Sequence, residues 1–219
     1  MNLPSELEMK AIALQHQGVF LGGPLRKFES VGRNYLEVLL RHGVYPQSKV
    51  LDVGCGCLRG GYWLVHFLDS GSYCGIEPNA AMLNAGAAAL LGESVLADKR
   101  PRFDHNDRLD FSVFRERFDF VIARSIWTHA APAQIETMLD QFVAWSNPDG
   151  VFLTSYRPCP FYRHQYAGTT WVGANDKTRE GGTVRYRFSW VRHIAKARGL
   201  IATELSREFG QTWVRLERA

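Results

Sequence analysis

Two glycines break a buried apolar run, and an acidic residue closes the next one. The run is Val50-Leu51-Asp52-Val53-Gly54-Cys55-Gly56-Cys57-Leu58-Arg59-Gly60-Gly61. It reads as a strand, a tight turn and the start of a helix. Such a corner brings backbone N–H groups and a positive helix end close to a ligand, which suits an anion or a nucleoside. Glu77 ends the following strand. A carboxylate at that place can accept two vicinal hydroxyls at once. Asp52 is unusual in a buried strand, because a buried carboxylate needs hydrogen bonds from its surroundings. It is expected to pin the turn and to hold a cationic ligand indirectly.

The elements that must position these residues alternate strand and helix. Strands are expected at Lys49–Val53, Ser72–Ile76, Arg102–His105, Phe118–Ala123 and Val151–Ser155. Helices are expected near 60–68, at 79–91 with Asn79 as N-cap, and at 132–145 with Pro132 in the first turn. The alternation argues a parallel sheet covered on both faces. Ahead of it, helices near 4–16 and 29–42 form either a cap over a pocket or packing on the sheet edge. Asn147-Pro148-Asp149-Gly150 reads as a turn. After Ser155 the rhythm breaks into an aromatic-rich insertion, 156–189, with an alternating stretch Thr183–Phe188 that reads as a strand. A helix at 190–198 and a hairpin across Glu208-Phe209-Gly210-Gln211 complete the chain.

A dinucleotide-binding dehydrogenase would place a third glycine where Arg59 stands. The combination of Val50-Leu51-Asp52-Val53-Gly54-Cys55-Gly56, Tyr73-Cys74-Gly75-Ile76-Glu77-Pro78-Asn79 and Phe118-Asp119-Phe120-Val121-Ile122-Ala123 instead resembles a class I S-adenosylmethionine-dependent methyltransferase. The Cys-Leu-Arg-Gly-Gly continuation is similar to a bacterial subset acting on small molecules, although many members have a third glycine at the Leu58 position. The resemblance implies an α/β, Rossmann-like doubly wound sheet of seven strands, mostly parallel with the last antiparallel. It would carry an N-terminal helical cap (1–48), a cofactor-binding core (49–155), the insertion (156–189) and a terminal helix and hairpin (190–219), all as a single domain.

It also implies S-adenosyl-L-methionine as cofactor, S-adenosyl-L-homocysteine as product, and no metal. Gly54, Cys55 and Gly56 would let the methionine part pass close to the backbone, with Asp52 behind them. Glu77 would hold the ribose, Pro78 and Asn79 would flank the adenosine, Asn106 and Asp107 would meet the adenine amino group, and Phe111 would wall the ring. Ser125 would lie near the methionine end. Arg59 would either reach the cofactor carboxylate or bridge to the N-terminal helices.

The methyl acceptor is expected at the carboxyl ends of the strands, where ligands of open α/β sheets gather. His129 is the candidate general base and otherwise a packing histidine; Tyr156 and Tyr162 are further catalytic candidates. Trp127, His164, Tyr166 and Trp171 are candidate substrate contacts, the aromatic cluster suiting a flat, apolar or cationic acceptor. Transfer to O, N or C of a small metabolite is the favoured activity, with nucleic-acid or protein methylation, or non-catalytic cofactor binding, as alternatives.

Composition sets the bounds. The 219 residues carry a net charge of +4 without runs of like charge, so no nucleic-acid partner is expected. Cys55, Cys57, Cys74 and Cys159 show no paired metal-ligand spacing and read as reduced thiols of a cytoplasmic protein. Residues 1–10 lack the apolar core of a signal peptide. No run of about 18 apolar residues marks a membrane span.

Overall fold

The computed structural model describes residues 4–173 and 182–219. Residues 174–181 of the expected insertion lie outside the described residues. The chain forms a seven-stranded sheet of order β3-β2-β1-β4-β5-β7-β6. By its internal contacts it divides into two compact units, 1–107 and 108–219.

In the first unit β1 (Val50–Val53), β2 (Tyr73–Ile76) and β3 (Arg102–Asp104) run parallel, with Val50 opposite Tyr73 and Cys74 opposite Arg102. Every residue of β1 and β2 is buried. This is the uninterrupted burial of a sheet covered on both faces, and it explains why these strands lack polar alternation.

The N-terminal helices α1 (Glu6–His16) and α2 (Phe28–Arg41) lie in this unit. Ser5 caps α1 through a reciprocal pair: its hydroxyl accepts from Glu8 N–H, and Glu8 accepts from Ser5 N–H, each at 3.1 Å. Helix α2 packs against α3 (Gly61–Phe67), and α1 packs against the helical turn Ala87–Leu91. The expected 79–91 helix is longer: α4 (Ala80–Gly86) passes through that π-turn into α5 (Gly92–Lys99). By length and composition alone this run could cross a membrane. Leu83, Ala87, Leu90 and Leu91 within it are buried in the unit.

In the second unit β4 (Phe118–Ala123) pairs parallel with β5 (Ser146–Tyr156). The register steps from Phe118–Ser146 to Phe120–Val151. The expected Asn147–Gly150 turn is therefore an excursion within β5, fastened by Asn147 Nδ2 donating to Asp119 at 2.6 Å. Helix α6 (Pro132–Trp145) covers these strands, burying Ile135, Met138, Leu139 and Phe142. Strand β7 (Gln211–Arg218) is antiparallel to both β5 and β6 (Leu200–Glu208). Phe209 and Gly210 turn the hairpin with φ of +50° and +83°, the two positive values a type I′ turn requires. Helix α7 (Phe188–Lys196) starts earlier than expected. Thr183–Phe188 is not a strand: one bridge, Pro158–Tyr186, is all that forms. Its amides are spent on Thr128 and Arg157 carbonyls, at 2.8 and 3.1 Å, which replaces a ladder.

One close approach sets the place of α4. A Cβ on Gly86 would lie 2.2 Å from the Cys57 carbonyl oxygen. Alanine is a better helix former than glycine by about 1 kcal/mol. Backbone overlap outweighs that gain, so Gly86→Ala should destabilise the protein by roughly 1–3 kcal/mol. Thermal unfolding checks this: Tm should fall by about 2–4 °C per kcal/mol in a chain of this size. An unchanged or higher Tm contradicts the packing described.

Candidate active site

The glycine turn of the first unit is fastened to the end of β2. Gly54 and Cys55 N–H both donate to the Ile76 carbonyl, at 2.8 and 3.1 Å. Gly54 and Gly56 have φ of +71° and +58°, values open to glycine without strain. Leu58 adopts the same left-handed conformation, φ +63°, although it has a side chain. Its complete burial offsets a cost of about 1 kcal/mol. The loop thus keeps a glycine-type backbone where a third glycine was expected. Gly60 and Gly61 serve packing: a Cβ at either would meet the Tyr35 ring or the Tyr73 hydroxyl, at 2.3 and 2.6 Å.

Glu77 spans this corner. One carboxylate oxygen accepts from Gly56 N–H at 3.1 Å, the other from Asn79 N–H at 2.9 Å. Asn79 caps α4 by accepting from Met82 N–H at 2.9 Å, and Pro78 is exposed between them. Beside β3, Asp104 accepts from both Asn106 nitrogens, at 2.8 and 2.6 Å, while Asp107 is exposed. His105 Nδ1 contacts the Glu77 carbonyl at 2.9 Å and ties the ends of β2 and β3 together.

Asp52 is fully enclosed. Oδ2 accepts from Tyr73 OH at 2.9 Å, and Oδ1 is buried with no partner among the described residues. Burial pushes this carboxyl up to about 7; the Tyr73 hydrogen bond opposes the rise and the Glu77 charge adds to it. An orphaned oxygen of a carboxyl whose charged form lacks a counter-charge fits a cationic group of a ligand. The Cys55 thiol is pushed far up by burial, so it is an inert wall. Arg59 turns to the N-terminal segment: it donates to the carbonyls of Phe28 at 2.9 Å, Gly22 at 3.3 Å and Lys27, with Phe28's ring 5.3 Å away. Of its two expected roles the structure supplies the one toward the N-terminal helices, through carbonyls rather than a salt bridge.

The second unit holds the other candidates. Ser125, at the end of β4, has φ +63°. A closed set of bonds fixes it: Ser125 N–H to Ser155 Oγ (2.9 Å), Ser155 Oγ to Gln211 Oε1 (2.6 Å), Gln211 Nε2 to Ser125 Oγ (2.7 Å). Phe111 is fully buried, its N–H held by Gln141 at 2.9 Å. Trp127 is core, edge-on to Phe152 with ring centres 6.0 Å apart.

His129 Nδ1 contacts the Val172 carbonyl at 2.7 Å, which places the proton on Nδ1 and leaves Nε2 with a lone pair. Trp171 stacks on the imidazole, centres 5.4 Å apart and planes 19° apart. Burial, then the charge of Arg157, hold the imidazole below its ordinary value, against bonds to the Val172 and Gly182 carbonyls. His129 is therefore neutral at pH 7.

The tyrosine candidates separate from it. Tyr156 is buried and its hydroxyl is bonded to Glu204. Burial and Glu204 raise it far above the usual phenol range, so it holds its proton. Tyr162 is 71% exposed on a surface turn, and His164 is exposed beside it. Tyr166 donates to the Thr170 carbonyl at 2.9 Å and so shapes the approach to Trp171. Arg124 and Arg157, which directly follow β4 and β5, were not singled out in the sequence; their only signal is a cation at the end of an apolar strand. Among the described residues no group of His, Cys, Asp or Glu is arranged to hold a metal ion.

Residues 51–152 match a family model described as a methyltransferase domain. No curated protein matches the chain. Among solved structures, magnesium protoporphyrin IX methyltransferase (ChlM) from Synechocystis PCC 6803 with bound SAH is similar at 15% identity and TM-score 0.62, over 89% of this chain and 84% of that one. The glycopeptide N-methyltransferase MtfA complexed with S-adenosyl-L-homocysteine shows 15% identity and TM-score 0.64, over 85% and 89%. The DhpI–SAH complex shows 13% identity and TM-score 0.63, over 97% and 95%. At these identities the likeness is one of fold. Residues 51–152 thus carry the sequence pattern of a methyltransferase domain, on a fold shared with structures that bind S-adenosylmethionine or its product.

The Asp52 carboxyl keeps its proton in the folded chain to about pH 7. In the unfolded chain an aspartate loses it near 3.9. The native state binds the extra proton between these values, so stability falls as pH rises through that window, by up to about 1.4 kcal/mol per pH unit. Urea unfolding from about pH 5 to about pH 7 should show the decline, and Asp52→Asn should flatten it. The same slope in the variant contradicts the assignment.

Proposed function

We propose that the protein transfers a methyl group from S-adenosylmethionine to a nucleophilic O, N or C of a small, aromatic or apolar metabolite. The observation that carries this is the combination of Glu77, which bridges the glycine turn and the start of α4, with the orphaned Asp52 oxygen near it. Glu77 suits two ribose hydroxyls, and Asp52 suits the cofactor's amino group. Asn106 and Asp107 are the polar groups for the adenine edge. The bound cofactor supplies an electrophilic methyl on a sulfonium, already a good leaving group.

The protein's work is then alignment and exclusion of water, which can contribute several kcal/mol. In an acceptor whose nucleophile carries a proton, neutral His129 takes that proton at Nε2. The Val172 carbonyl fixes the tautomer that makes this possible. The acceptors named for the fold neighbours, a magnesium porphyrin and a glycopeptide, support a discrete molecule as acceptor. The four free cysteines suit a reducing, cytoplasmic setting.

Titration with S-adenosylhomocysteine tests the donor side: Glu77→Ala should weaken binding by about a hundredfold, the loss of two charge-assisted hydrogen bonds. Unchanged affinity contradicts the reading. Incubation of methyl-labelled cofactor with a metabolite extract supplies the acceptor. With it, His129→Asn should lower kcat on the order of a hundredfold while cofactor affinity holds. An unchanged kcat removes His129 from the chemistry.

A further inference from the structure

The partly buried arginines of the second unit are mostly satisfied. Arg198 pairs with Asp140 at 2.6 Å and Glu136 at 3.0 Å. Arg218 donates to Ser146 Oγ and to two carbonyls. Arg157, the first residue after β5, differs. It is half-buried, and its Nε is shut off from solvent without an acceptor among the described residues; the Nε atoms of Arg124 and Arg215 are enclosed in the same way, but those side chains meet the Phe209 and Trp213 rings and Glu217. Among the described residues the Arg157 guanidinium has no ion pair and no hydrogen bond. Leaving a charged donor buried and unmet is costly, so this position suits an oxygen that the described residues do not provide.

A second such donor stands nearby. Trp171 Nε1 is also buried without an acceptor, and its ring is the one stacked on His129. Arg157 in turn lies close enough to His129 for its charge to act on the imidazole. The backbone fixes this neighbourhood. Tyr186 N–H donates to the Arg157 carbonyl at 3.1 Å and Tyr186 OH to the Ala130 carbonyl at 2.6 Å, while Val184 N–H donates to the Thr128 carbonyl at 2.8 Å. One segment, 184–186, thereby holds the turn after β4 and the end of β5 side by side. Of two donors without acceptors among the described residues, one is on the ring stacked against the imidazole and the other follows the strand end that this segment holds beside it.

We propose that Arg157 binds a carboxylate of the methyl acceptor, with Trp171 as the second donor, so that the acceptor is a small aromatic acid bearing a hydroxyl or amino group. This deepens the methyl-transfer reading and rests on it. The two terminal nitrogens, which are not enclosed as Nε is, offer parallel N–H groups that match two carboxylate oxygens. The Trp171 indole adds apolar contact area and a single N–H. Arg157 sets specificity here; it takes no part in the proton transfer assigned to His129.

The test uses the full chain saturated with S-adenosylhomocysteine and a panel of hydroxy- and aminobenzoates, each compared with its carboxamide. Binding is followed by calorimetry and by tryptophan fluorescence. At least one acid should bind about tenfold or more tightly than its amide. Arg157→Gln should bring that acid to the affinity of the amide, Arg157→Lys should keep part of the preference, and both variants should retain wild-type affinity for S-adenosylhomocysteine. Equal binding of acids and amides, binding of no acid, or a preference that survives Arg157→Gln overturns the proposal and leaves methyl transfer standing. Failure of the wild type to bind S-adenosylhomocysteine overturns the methyl-transfer reading itself.

Discussion

The carboxylate of Glu77 is the interaction on which the glycine-turn corner depends. It sits at the end of β2, accepts from Gly56 in the turn after β1, and accepts from Asn79 at the start of α4. Three elements meet on one side chain. The turn can take that shape because Gly54, Gly56 and Leu58 all reach positive φ. It is held there from below by the Ile76 carbonyl and from outside by Gly86 against Cys57. Asp52 then lies beneath with one oxygen unmet, protonated at low pH and ready to ionise against a cation. Order at this corner comes from backbone bonds that exist before any ligand arrives, which is what preorganisation for a nucleoside requires.

The second unit uses a different device. Ser125 is kept in a conformation that costs a side-chain-bearing residue about 1 kcal/mol, by bonds to Ser155 and Gln211 from two other strands. That sharp turn ends β4 and starts the segment that delivers Trp127 to the core and His129 outward to Trp171. Strain held by surrounding structure marks functional sites more often than inert turns. Arg157 and Trp171 add N–H groups without acceptors around the imidazole, so this side is rich in donors where the Asp52 corner lacks one.

The glycine-turn corner was legible in the sequence because its parts are local. Glycines that break a buried strand, a buried aspartate, and an acidic residue one strand later are each constrained by short-range backbone geometry. The sheet followed from strand and helix periodicity. The hairpin followed from Phe209-Gly210, and the α4 cap from Asn79. The acceptor side was much less legible, because its residues meet through long-range packing. Tyr156 and His129 look equivalent as titratable residues after strands, yet one is committed to Glu204 and the other is stacked on Trp171, 42 positions away. Thr183–Phe188 alternates like a strand and fails as one because its amides find carbonyls at Thr128 and Arg157. Arg59 reads equally as a cofactor contact or a bridge to the N-terminal helices, because the Phe28 and Lys27 carbonyls that it meets are 31 and 32 positions away.

The central claim is that the Asp52–Glu77 corner binds the amino-acid and ribose parts of S-adenosylmethionine. The most direct measurement is calorimetric titration of the protein with S-adenosylhomocysteine near pH 6.5, in buffers of different ionisation enthalpy. Asp52 is largely protonated there and must ionise to meet the ligand's ammonium group. The account predicts binding with net release of a substantial fraction of a proton, abolished by Asp52→Asn. Absence of binding, or binding with no proton release, contradicts it.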